Sequence, residues 1–392
     1  MKILPAGSDD INFDDVLLQV NGHALTEAGL TGKNIKIGII DAGFYRADKQ
    51  NSLYYVFERG GFRGYRNFID PQLDDPFSRL KENDYHGTRV WQMIAGYRPG
   101  EEMNGLARDA DFYLARTDED PKEYRGEEDF WIAAVEWMAS EGVQIINSSL
   151  GYSDGHDDPN EDYVPSDADG KSSALTRFAN IAVYEKELII IMSAGNSGNE
   201  SFKVVNIPAD APGVIAVGAT NLNFWTKQGY SSIGGHTLPY IKPDLACYSS
   251  SGTSFSAPVI TGLAACLMEA DSTLSNLDIA AILRLSSNLR YFPNNYLGYG
   301  VPDAGRALKI LKGVNPEKGN NNVIIAEADT IRITRITSDP VIFHKINSHE
   351  VDHQEFRLGK GPEWIIKRPG KEISHSTFAM KDGAVEVVWP DY

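Results

Sequence analysis

The sequence predicts an α/β protein with a parallel sheet, extended at its C-terminus by a small all-β module. Three observations predict it. Short β-branched runs alternate with amphipathic helical patterns from about residue 35 to residue 311, as βα units do around a parallel sheet. Residues 313–322, rich in Gly, Asn and Pro, then read as a linker. Beyond them short strand-like runs follow one another with no helical period between. A chain of 392 residues has room for two such units. The boundary is placed near residue 316. It gives a large α/β domain over 1–316, with 1–30 as an N-terminal extension, and a β-rich C-terminal domain over 317–392.

The elements follow in order. Residues 35–40 (Ile-Lys-Ile-Gly-Ile-Ile) read as a buried strand. Val90, Met93, Ile94 and Tyr97 recur at helical spacing and predict a helix. A strand over 112–115 leads into a helix carrying Phe130, Ala134, Trp137 and Met138. Strand 143–147, helix 172–187 and strands 188–192 and 214–218 come next. A long helix of small residues spans about 253–270, with two more near 278–285 and 303–311. In the β module, residues 323–325, 330–336, 341–343, 364–366 and 384–389 read as strands. No internal repeat is evident.

Composition narrows the function. With 54 acidic and 37 basic residues the net charge is −17, which argues against nucleic acid, whose phosphates need clustered Lys and Arg. No run approaches the 18 apolar residues of a membrane span. Met1-Lys2 opens like a signal peptide, but Ile3-Leu4-Pro5-Ala6 is too short an apolar run and Asp9-Asp10 follow at once. Cys247 and Cys266 make no disulfide framework and no CxxC pair; both read as buried structural thiols.

Four residues stand where chemistry collects. Asp41 ends the first strand, at the carboxyl edge where open α/β sheets place their ligands; alone, an Asx turn would explain it. His86 precedes a helix, whose dipole favours the neutral imidazole that a general base must be. Ser254 opens the long helix, where its hydroxyl and N–H point off the end, although an N-cap serine would look the same. Asn196 follows an isoleucine-rich strand in Ala194-Gly195-Asn196-Ser197-Gly198, as a turn residue or as an oxyanion donor.

Together the four are poorly explained as coincidence. The chain order Asp, His, Ser is that of the subtilisins. The blocks Asp41-Ala42-Gly43, His86-Gly87-Thr88, Ala194-Gly195-Asn196 and Gly252-Thr253-Ser254-Phe255-Ser256-Ala257-Pro258 closely resemble the signatures of the subtilisin-like (subtilase) serine proteases. The resemblance runs from about residue 29 to 311 and looks most like the branch found in Bacteroidetes. It implies a three-layer fold, with helices on both faces of the parallel sheet. It also implies a secreted, cell-surface or periplasmic serine endopeptidase that needs no cofactor for its chemistry. Ser254 would be the nucleophile, His86 the base, Asp41 its partner and Asn196 an oxyanion donor. Ser149, Leu150 and Gly151 would pair with an extended protein or peptide substrate, with Ala194 and Gly195 walling the pocket for the residue before the cut.

Two departures from the family qualify this. Only residues 245–251 lie between Lys242-Pro243-Asp244 and Gly252, a short loop that would open the cleft or change the support of the Ser254 turn. The usual inhibitory propeptide is not evident ahead of residue 35, so it is expected to be absent from this chain. Two rival functions are a catalytically silent subtilase-like binding protein and an adhesion or anchoring role centred on the C-terminal β domain.

Two stretches carry metal-ligating residue types. His349-Glu350-Val351-Asp352-His353 has the zinc-protease spacing, but in strand and turn surroundings residues four apart lie ~13 Å apart, far beyond a shared zinc. The acidic stretch 154–169 offers hard oxygen ligands suited to structural calcium, without EF-hand spacing. Acidity is concentrated in two loops: 117–129 and 153–169 hold fourteen acids against Lys122 and Arg125. Both follow strands of the sheet, so the cleft is expected to favour basic residues in the substrate or to need calcium to screen it.

Overall fold

The computed structural model describes residues 13–80, 82–100, 102–119, 121–314, 323–334, 340–356 and 363–390. Strands β1 (Lys36–Asp41), β2 (Phe62–Asn67), β3 (Asp111–Arg116), β4 (Ile145–Ser148), β5 (Ile189–Ser193), β6 (Ile215–Thr220) and β7 (Leu245–Tyr248) form one parallel sheet. Its order is β2-β3-β1-β4-β5-β6-β7. β1 lies between the strands that run to either side, so the carboxyl ends of β1 and β4 flank a switch in strand order, where a crevice opens.

Burial on both faces explains the apolar runs. Ile37 and Ile39 face one core with Phe112, Leu114, Ile191 and Val217. Ile40, Tyr113, Ile146, Ile190 and Ala216 face the other, as the two-residue strand period requires. The first core is covered by α1 (Phe13–Gln19), α4 (His86–Ala95), α7 (Ala257–Ala270), α8 (Asn276–Ser286) and α9 (Ala304–Leu311). The second lies under α5 (Gly126–Ser140) and α6 (Ala174–Tyr184). The predicted three-layer arrangement is therefore present. Short helices α2 (His23–Glu27) and α3 (Tyr54–Glu58) complete the set. Val16 and Leu17 of α1 and Leu25 of α2 are buried in the first core, so residues 13–30 of the segment read as an extension pack as part of the α/β unit.

Residues Thr253–Ala270 have the length and apolarity of a membrane span, yet that stretch is 83% buried inside the protein. It is the central core helix, preceded by a 3-10 turn over Thr253–Phe255. Pro258 sits in the first turn of α7, where a missing N–H costs least.

The C-terminal strands are β8 (Val323–Ile325), β9 (Thr330–Thr334), β10 (Val341–Lys345), β11 (Val351–Phe356), β12 (Glu363–Lys367), β13 (His375–Met380) and β14 (Gly383–Val388). Five form a sheet in the order β8-β14-β13-β10-β11, and β9 pairs with β12. Ile342, Phe378 and Val387 face the antiparallel β9–β12 pair. Val341, Phe343 and Ala379 face the α/β unit and share a core with Ala246, Leu289 and Leu297. The β module is thus docked through a common apolar layer. The boundary placed near residue 316 lies outside the described residues.

Candidate active site

Asp41, the last residue of β1, is fully buried. Its Oδ1 accepts the Ala42 N–H at 2.9 Å and meets His86 Nδ1 at 2.7 Å. His86 is the first residue of α4. The helix start approaches β1 this closely because residue 87 is glycine. A Cβ there would sit 2.5 Å from the Gly43 carbonyl oxygen and 2.8 Å from Asp41 Cβ. Burial alone would lower the His86 pKa, but the charge and hydrogen bond of Asp41, helped by the charge of Asp118, hold it above the ordinary histidine value. The dipole effect expected from the sequence is outweighed by the adjacent carboxylate. No described residue hydrogen-bonds Nε2, which leaves that nitrogen to a hydroxyl or a substrate.

Ser254 lies within the 3-10 turn ahead of α7 rather than at the helix N-cap, which is Ser256. It is buried, and its Oγ donates to the Ser149 carbonyl at 3.3 Å. In return the Ser149 hydroxyl donates to the Ser254 carbonyl at 2.9 Å. Asn147 Nδ2 donates to Ser149 Oγ, and Thr261 of α7 donates to Asn147 Oδ1. This chain of bonds ties the Ser254 turn to the end of β4. From the other side, Ser249 Oγ donates to the Gly252 carbonyl at 2.7 Å and Ser256 Oγ to the Cys247 carbonyl at 3.1 Å. The short loop before Ser254 therefore supports the turn; four of its seven residues are the edge strand β7. Cys247 and Cys266 are buried free thiols, as expected, and burial pushes the Cys247 pKa up to about 12.

Asn196 follows β5. Its Oδ1 accepts the Thr253 N–H at 2.9 Å and the Thr253 hydroxyl at 3.0 Å. A backbone N–H can only donate, so the atom facing it is oxygen and the amide NH2 is turned the other way. Thr253 Oγ1 also accepts the Gly195 N–H at 3.1 Å. Gly195 itself has φ +110°, and a Cβ there would lie 2.4 Å from Asn206 Oδ1, so only glycine fits. Thr253 and Asn147 are contributors that sequence reasoning did not single out. Thr253 stands inside the block around Ser254, and Asn147 ends the strand read over 143–147, just ahead of the substrate-pairing residues; neither carries a role of its own in the sequence.

A pocket of about 460 Å³ opens beside Asn196 and Asn206. Glu123, Asp154, Asp162 and Glu200 contribute to its wall. N–H groups of His156 and Gly155 hold the Asp162 carboxyl below its ordinary range, so the pocket is anionic at neutral pH. Leading away from it, burial and the nearby Asp118 push the Glu127 pKa up to about 9. In the 154–169 stretch, Asp158, Asp162, Asp167 and Asp169 accept local backbone N–H groups. Their oxygens close turns instead of converging. His349 precedes β11 and His353 lies on it, opposite His344. Among the described residues, the metal-ligating side chains that gather are Asp118, Glu123 and Glu127.

The sequence and the fold have counterparts. The subtilase family model matches residues 32–300. The chain belongs to the subtilase family. A probable subtilase-type serine protease of Deinococcus radiodurans is 27% identical over 365 residues, covering 79% of this chain and 45% of that protein. Subtilisin NAT of Bacillus subtilis subsp. natto is 27% identical over 294 residues, covering 72% of this chain and 68% of its own. Among solved structures, the MycP3 protease of the type VII (ESX-3) secretion system superposes with a TM-score of 0.57 at 19% identity, covering 75% of this chain and 87% of that one. The Clostridium perfringens CspB protease superposes at 0.61 and 15%, covering 76% and 99%. At these identities the structures speak to the fold alone. By family membership this subtilase is a serine endopeptidase.

Proposed function

We propose that this subtilase hydrolyses peptide bonds with Ser254 as nucleophile, His86 as general base and Asp41 as the group that orients and stabilises the imidazole. Ser254 Oγ attacks the carbonyl as His86 Nε2 takes its proton; the same nitrogen then protonates the leaving amine, and water repeats the sequence on the acyl-enzyme. The oxyanion is held by Asn196 Nδ2 and the Ser254 N–H. The observation that carries the reading is the 2.7 Å contact of buried Asp41 with His86 Nδ1, which leaves Nε2 as the acceptor. The β4 ladder ends at Ser148, so Leu150 and Gly151 have backbone groups to offer an extended substrate. Family likeness supports a secreted or cell-surface setting. A fluorophosphonate probe should label the folded chain, with peptide mapping placing the adduct on Ser254. A folded protein that takes no label, or takes it elsewhere, removes this reading.

The residue before the cut is proposed to be basic. Asp162, Asp154, Glu123 and Glu200 face the space beside Asn196, and a cation entering it gains Coulomb energy that salt screens. In peptide-library profiling, Arg or Lys should exceed Leu at that position by at least ~10-fold in kcat/KM, about 1.4 kcal/mol. The margin should shrink as ionic strength rises. A flat or apolar-preferring profile counts against it.

A further inference from the structure

We propose that Asp118, Glu123 and Glu127 together hold one calcium ion, at a site behind the substrate pocket that is independent of the catalytic assignment. One oxygen from each carboxylate lies within 4.8 Å of the others. Calcium binds oxygens at about 2.3–2.6 Å, so oxygens no more than about 4.8 Å apart can share one calcium ion, whereas magnesium keeps several of its waters and is held by one or two carboxylates rather than three. The group contains neither His nor Cys, which argues against zinc.

Two further atoms point to a ligand. Glu127 is fully buried at the start of α5; Oε1 accepts the Glu119 N–H at 2.8 Å, but Oε2 has no partner among the described residues. The Tyr152 hydroxyl comes from a different loop, after β4. It is buried, likewise without a partner, and the charges around it are those of Glu127, Asp118, Glu128 and Glu123. An orphaned carboxylate oxygen and an orphaned hydroxyl amid four acids are costly unless something satisfies them. A proton on Oε2 would only turn an unpaired acceptor into an unpaired donor. A hard dication takes Oε2 directly and the Tyr152 oxygen directly or through one of the waters that complete its shell. The ion would join the 117–126 loop to the first turn of α5, clamping a loop whose Glu123 also lines the pocket.

The test uses the full chain carrying Ser254→Ala, so that self-digestion plays no part and failure of the protease reading would leave the result intact. After chelator treatment, calorimetric titration should show one calcium per chain with Kd at or below ~10⁻³ M. Magnesium should bind at least ~10-fold more weakly. Calcium at 100 times Kd should raise the unfolding midpoint by several degrees. Glu127→Gln and, separately, Asp118→Asn should each weaken calcium binding more than ~10-fold. In chelator both should melt at or above the parent, because carboxylate repulsion is relieved; that separates loss of a ligand from misfolding. No binding up to 10 mM calcium, or binding that survives both substitutions, overturns the proposal. So does a rise in midpoint from Glu127→Gln in a protein indifferent to calcium, which would mean that protons neutralise the cluster.

Discussion

Replacing Asp41 with asparagine is expected to lower kcat/KM by about 10⁴-fold with little change in folding. The hydrogen bonds explain why neither orientation of the new amide rescues function. Asp41 Oδ1 serves both the Ala42 N–H and His86 Nδ1. If the asparagine oxygen stays there, the ring keeps its orientation, but the charge that stabilises the imidazolium is gone and an NH2 is buried where Oδ2 already lacks a partner. If the amide turns, its NH2 donates to Nδ1 and forces the proton onto Nε2, the nitrogen that must accept from Ser254. The Ala42 bond is lost as well. The pH profile distinguishes the two. Catalysis needs neutral His86, so the acidic limb of kcat/KM follows the free-enzyme pKa. In the parent, Asp41 and Asp118 raise that pKa against burial, so the limb lies above the ordinary histidine value of about 6.5. Removing the Asp41 charge lets burial pull it down, and the limb of the residual activity should move to lower pH. A loss under ~10-fold, or a limb that does not move, would separate Asp41 from the chemistry.

The central strands were legible because both faces are buried. β1, β4, β5 and β6 sit between two cores, so Ile39 and Ile40 are apolar whichever way they point. Edge strands lack that signal. In β2 (Phe-Arg-Gly-Tyr-Arg-Asn) only Asn67 is fully buried, and β7 is four residues long, so both passed for loop. β11, at the edge of the C-terminal sheet and half-exposed after Val351, lacks it too. β13 differs: it carries polar residues that the sheet satisfies, with Ser376 taking the Trp389 indole N–H and Thr377 bonding Glu386, itself paired with Lys345. Polarity then looks like a loop when it is a buried network.

The site divides the same way. Asp41, His86, Asn196 and Ser254 each end or begin an element within a distinctive block, so local sequence marked them. The acidity of loops 117–129 and 153–169 was equally plain, but which carboxylates converge was not. Asp162 turns Oδ1 to the N–H groups of Gly155 and His156, while Glu127 Oε2 is buried and meets no partner among the described residues. Charge counts cannot separate those cases because the difference lies in contacts made across the fold.

Asn196→Ala is expected to lower kcat by about 10²–10³-fold with KM nearly unchanged, the cost seen when a subtilisin loses such an amide. Its donor matters only once the carbonyl oxygen becomes an oxyanion, so ground-state binding is spared. The finer expectation concerns Thr253, a positioning residue that touches no substrate. Its hydroxyl and N–H both engage Asn196 Oδ1, holding the NH2 toward the oxyanion. Thr253→Val keeps the shape and the N–H but loses the hydroxyl, leaving one of two restraints; kcat should fall roughly tenfold, a loss of about 1.4 kcal/mol in transition-state binding. Thr253→Ser should restore it. The decisive measurement is the double-mutant cycle. In an Asn196→Ala background there is no amide left to aim, so Thr253→Val should cost almost nothing further. If the valine exacts the same tenfold there, Thr253 supports the Ser254 turn instead, and the oxyanion donor is aimed by something else.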